Sequence, residues 1–125
     1  MFTRSNLRLT IIILTVITAC IHLFLGATTL RVTEMQTLAS LWLLNGVGYL
    51  VLLFVGFAPV EGLPIPRHLA HYALMGFAAI TIVAWVLMSG VLKGEPVGVI
   101  APIDKVVEVL LIAALAMFLR TQPAA

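Results

Sequence analysis

Four long apolar stretches, at 9–30, 38–58, 69–92 and 102–119, occupy most of this 125-residue chain. Each approaches the ~20 residues that an α-helix needs to cross a hydrocarbon core ~30 Å thick. Inside lipid no water reaches the backbone, so every such stretch must close its own N–H and C=O bonds, which a helix does. The sequence therefore predicts an all-α fold, a four-helix transmembrane bundle forming one membrane domain over residues 1–125. The connections are short, which makes successive helices antiparallel neighbours in an up-down-up-down order.

Composition agrees with that class. The chain is 62% hydrophobic and only 10% charged, with a mean hydropathy of +1.19. The formal net charge is +2, and the basic residues stand singly at helix ends, so nothing supports binding to nucleic acid. They read instead as interface anchors and topology signals. Arg4, Arg8, Arg67 and Arg120 fall at the end that holds both termini. Arg31, Lys93 and Lys105 fall at the other, among Glu34, Glu95 and Asp104. This bias predicts cytoplasmic termini in a multi-pass protein of the cell (inner or plasma) membrane. Trp42 and Trp85 would then lie towards the outer interface.

Cys20 is the single cysteine, so neither an internal disulfide nor a C-x-x-C motif is available. Ile17-Thr18-Ala19-Cys20 looks like a lipoprotein processing site, but the apolar run continues through Ile21, Leu23, Phe24 and Leu25. The expectation is an uncleaved first span.

The informative residues are those that lipid penalises. Thr15, Thr18, Ala19, His22 and Gly26 share one face of the first helix, and Asn45 shares a face of the second with Gly48, Tyr49, Leu52 and Gly56. Asp104 and Glu108 stack four residues apart on the last, with Lys105 beside them. At ~1.5 Å of rise per residue, His22, Asn45 and Glu108 come to roughly one depth, with Asp104 and Lys105 about one turn nearer the outer surface. The candidate ligand-binding or polar network is thus His22, Asn45, Tyr49, Asp104, Lys105 and Glu108. A His22–Asn45–Glu108 link is expected within it, while Asp104 and Lys105 pair in solvent at the interface. Such a network either fixes helix register or lines a pocket for a small ligand, headgroup or cation; His22 beside Glu108 also suits proton exchange.

His68 and His71 are expected at the inner interface, meeting headgroups. On this placement His71 and His22 lie about 16 Å apart along the membrane normal, too far out of level for the two axial ligands of one haem. Two histidines three residues apart also supply too few ligands for a closed zinc site. No metal and no cofactor is expected. Thr15 and Thr18 can bond back to their own helix, and no serine has a base and an acid at its depth to make it a nucleophile.

His22-Leu23-Phe24-Leu25-Gly26, Leu44-Asn45-Gly46-Val47-Gly48-Tyr49-Leu50 and Asp104-Lys105-Val106-Val107-Glu108-Val109 together resemble small, functionally uncharacterised prokaryotic four-span membrane proteins. That resemblance implies the four-span architecture and no activity. The residues themselves point away from an enzyme. They favour an accessory or structural subunit, or a binding module, of a larger membrane assembly. Its partners would be the bilayer with other membrane subunits or further copies of itself. Alternatives are a small proton- or cation-coupled transporter or channel using the His/Asn/Glu cluster, and a haem- or quinone-associated redox protein.

Overall fold

The computed structural model describes residues 3–121. Its elements are α1 (Arg4–Thr29), α2 (Gln36–Phe57), α3 (Arg67–Met88) and α4 (Ile100–Arg120), with short 3₁₀ turns at Thr33–Met35 and Val91–Lys93. Thr3 caps α1, its hydroxyl accepting from the Asn6 N–H at 3.1 Å. The segment with Pro59, Pro64 and Pro66 separates α2 from α3, and Pro66 sits immediately before the first residue of α3. Pro102 occupies the first turn of α4, where a backbone N–H has no partner within the helix.

Two boundaries differ from the expectation in ways that matter. The third helix stops at Met88, not Leu92, because Gly90 turns left-handed at φ 82° and starts a separate turn. The fourth begins two residues early, at Ile100, which carries Asp104 deeper into the bundle.

Each helix packs against two others: α1 on α2 and α4, α3 on α2 and α4. The all-α four-helix bundle is therefore a closed ring, with α1 diagonal to α3. The α1–α2 seam is drawn tight by two glycines. A Cβ on Gly26 would come within 2.9 Å of the Ala39 carbonyl oxygen, and one on Gly46 within 2.7 Å of Leu23 Cγ. The apolar core lies toward the end with both termini, built from Leu7, Ile11, Phe57, Leu74, Leu115 and Phe118.

Outside, the bundle is apolar: Leu44, Ile80 and Leu87 are each about 70% exposed. Monomeric soluble proteins rarely carry such a surface. Three helices are long and apolar enough to cross a membrane, namely α1, α2 with its preceding turn, and α3. α4 is also 21 residues long, but Asp104, Lys105 and Glu108 set it apart from the other three by composition.

Candidate functional site: a buried charged cluster beside an apolar cavity

Three helices supply the cluster. From α1, Thr18 and His22 point inward one turn apart; from α2 comes Tyr49; from α4 come Asp104, Lys105 and Glu108. Thr18, His22, Tyr49, Asp104 and Glu108 are all buried, and Lys105 keeps 12% of its side chain exposed. Burial on this scale is tolerable only when each charge has partners.

The partners are present for every carboxylate oxygen. Thr18 Oγ1 donates to Asp104 Oδ1 at 2.6 Å. Asp104 Oδ2 faces Lys105 Nζ at 3.2 Å and His22 Nε2 at 3.5 Å. Lys105 Nζ also donates to Glu108 Oε1, and Tyr49 donates its phenolic hydrogen to Glu108 Oε2. The Tyr49 ring is held by an edge-on contact with Phe77, centroids 4.8 Å apart.

The tautomer of His22 follows from its neighbours. Nδ1 lies 2.8 Å from the Thr18 carbonyl oxygen, which can only accept, so Nδ1 carries a hydrogen. That leaves Nε2 facing Asp104. Counted with both carboxyls ionised, the amine charged and the imidazole neutral, the four side chains carry one negative charge. The cluster is balanced when one more proton, or a cation, is shared among His22, Asp104 and Glu108. Those three side chains each offer a ligand atom within 4.8 Å of one another. The Lys105 ammonium already stands at two of the carboxylates, so a metal ion would have to displace it.

The expected His22–Asn45–Glu108 link does not form. Asn45 turns to α3 instead, its Nδ2 donating to Thr81 Oγ1 at 2.8 Å. Thr81 spends its own hydrogen on the Phe77 carbonyl oxygen at 2.8 Å, which fixes the orientation of the Asn45 amide. Asn45 Oδ1 is then buried with no partner among the described residues.

His22 Nε2 faces Asp104, not Glu108, at 3.5 Å. Asp104 and Lys105 are not an interfacial pair in solvent; the early start of α4 draws them inward. Thr15 bonds back to Ile11 as expected, but Thr18 reaches across to α4. Thr81 was overlooked, although it is the lone hydroxyl in the apolar middle of α3.

His71 lies toward the expected end of the bundle but is buried inside it. It is 4% exposed, stacked on Phe57 at 4.5 Å and edge-on to Phe118 at 5.2 Å, with Nε2 donating to the Gly56 carbonyl oxygen at 2.8 Å. Gly56 permits that approach, since a Cβ there would meet the ring at 2.9 Å. His68 is exposed. His22 and His71 line separate cavities toward opposite ends of the bundle.

The cavity beside the cluster has a volume of about 600 Å³. His22, Asn45, Thr81 and Lys105 make its polar end; Leu41, Trp42, Phe77, Ile80, Trp85 and Met88 are among its apolar walls. Small-molecule sites have this size and this mix of apolar wall and few polar groups.

No protein family, curated protein or solved structure matches the chain. Fold and surface define the class by themselves: with three long apolar helices and an apolar exterior, this is a helical membrane protein.

Proposed function

We propose that the chain is a four-span, non-enzymatic binding module of the cell membrane, whose cavity holds a small amphipathic molecule for a larger membrane assembly. The observation that carries this reading is a largely apolar cavity of about 600 Å³ whose lining includes Asn45, a side chain with a buried, unpartnered Oδ1. A buried acceptor without a donor costs roughly 1–3 kcal/mol. A ligand hydroxyl or N–H would recover it while its tail lies along Leu41, Phe77 and Ile80.

A fourth crossing is supported by the orientation of α4. Its charges face inward, whereas Ile103, Val106, Val109 and Leu110, each more than half exposed, present an apolar flank. Cytoplasmic termini are supported by Arg4, Arg8, Arg67 and Arg120 at one end of the bundle.

The cavity contains its own reporter, because both tryptophans of the chain, Trp42 and Trp85, line it. Detergent-solubilised protein titrated with brominated monoolein, whose glycerol hydroxyls can donate, should show saturable quenching. Asn45→Leu should weaken that binding about tenfold, the equivalent of one buried hydrogen bond. Quenching that rises linearly without saturation, as for lipid at an ordinary surface, would sink the reading.

One observation favours proton-coupled transport as a second reading: the two buried carboxylates outnumber the one ammonium. Glu108→Gln should then abolish proton-driven flux in liposomes while the bundle stays folded. Flux equal to wild type would eliminate this role.

A further inference from the structure

At the end of the bundle that holds both termini, a second cavity of about 500 Å³ is lined by Arg4, Arg8, Arg67 and His71 together with Phe57 and Phe118. Each arginine is fixed in place by a backbone oxygen. Arg4 Nη1 donates to the Phe118 carbonyl at 3.0 Å, and its guanidinium lies 3.8 Å from the centroid of the Phe118 ring. Arg8 Nη2 donates to the Phe57 carbonyl at 2.7 Å, and Arg67 Nη2 to the Val60 carbonyl at 2.6 Å. Arg4 and Arg8 thereby cap the C-terminal carbonyls of α4 and α2.

Capping uses a small part of what these groups offer. A guanidinium has five N–H donors in a rigid fork. Arg4 uses its Nη1 on Phe118 and on Thr121 Oγ1 at 3.3 Å, and Arg8 and Arg67 each make one side-chain bond. Among the described residues no carboxylate forms an ion pair with any of the three; all the ion pairs lie in the Asp104 cluster. No acidic side chain lines the cavity. Three like charges are thus held around one space with no carboxylate among the described residues paired to them.

We infer that this cavity is a binding site for a phosphate group. A tetrahedral phosphate monoester or diester has several oxygen edges and accepts from guanidinium forks on more than one side; a carboxylate has one such edge. Phe57, Ala58, Pro59 and Phe118 give the cavity an apolar wall as well, which suits a phosphate carried on an acyl glycerol as much as a free one. The site is separate from the cavity at Asn45, and its test does not depend on that reading.

Purified protein in maltoside detergent would be titrated by calorimetry with short-chain phosphatidylglycerol, with inorganic phosphate and, as a control, with short-chain diacylglycerol. Saturable binding of phosphatidylglycerol but not of diacylglycerol supports the site with a lipid as its source. Saturable binding of inorganic phosphate that competes with phosphatidylglycerol supports it with a free phosphate as its source. Arg67→Gln should weaken either about tenfold, the loss of one charge-assisted hydrogen bond.

Because arginine variants also lose a cap or a loop contact, Ser5→Glu supplies an independent arm. Ser5 is an exposed residue on the cavity wall in the first turn of α1, where a carboxylate suits the helix. It should abolish phosphate binding and leave the ligand-free melting temperature unchanged or raised. The inference is overturned if neither phosphate probe saturates, or if Ser5→Glu and Arg67→Gln bind as wild type does.

Discussion

Thr18 on α1 donates a 2.6 Å hydrogen bond to Oδ1 of Asp104 on α4, across 86 positions of sequence. One turn further along α1, His22 approaches the other oxygen of the same carboxylate at 3.5 Å. A single α1 face thus addresses both oxygens of one buried acid, and this ties the first helix to the last. The polar groups of α4 reach the bundle interior with their partners already waiting, which is what allows a helix with three ionisable side chains to sit among three apolar ones.

That pairing can be measured by a double-mutant cycle. Thr18→Val removes a donor to a carboxylate and should destabilise the bundle by roughly 1.5–3 kcal/mol. Asp104→Asn leaves the contact in a weaker, neutral form. If the hydrogen bond is formed as described, the two effects are non-additive by more than about 0.5 kcal/mol in unfolding from mixed micelles. Strict additivity would show that the two side chains do not interact.

Lys105 is the one ammonium between two buried carboxylates. Lys105→Met should therefore be among the most damaging single changes, costing roughly 3–5 kcal/mol, because it strands like charges in the interior. Adding Glu108→Gln to it returns the cluster to its original net charge and should recover part of that loss. A double variant less stable than Lys105→Met alone would contradict the charge argument.

Tyr49 is fully buried, and its hydroxyl serves Glu108 Oε2. Tyr49→Phe keeps the edge-on packing on Phe77 while removing the donor. The expected cost is again roughly 1.5–3 kcal/mol, readable as a lower melting temperature in detergent. A melting temperature equal to wild type would show that the Tyr49–Glu108 hydrogen bond does not stabilise the bundle.

The elements themselves were legible in the sequence, since apolar runs and proline clusters mark where helices run and stop. So was the inward stripe of α1: Thr15, Thr18, Ala19, His22 and Gly26 are all buried. The pairings were not. Asp104 reads as interfacial if α4 begins at Pro102, and starting the helix two residues earlier makes it a core residue. Asn45 shares an expected depth with His22, but depth does not tell which neighbour a side chain turns to, and Thr81 on α3 takes it. His71 is buried only because Gly56 on another helix makes room for its ring, a contact between segments that no local pattern encodes.

The glycines of the α1–α2 seam separate packing from propensity. A Cβ on Gly46 would stand 2.7 Å from Leu23 Cγ and 3.0 Å from the Ala19 carbonyl oxygen, so backbone as well as side chain must move. Gly76 on α3 has nothing within 4 Å of its would-be Cβ. Gly46→Ala should cost roughly 1–3 kcal/mol by overpacking, whereas Gly76→Ala should change stability by less than about 1 kcal/mol and in the favourable direction. Because the seam holds His22 and Asn45 on either side, Gly46→Ala should also weaken brominated monoolein binding at the two tryptophans, and Gly76→Ala should not. Equal effects of the two substitutions would show that the α1–α2 approach is looser than these contacts require.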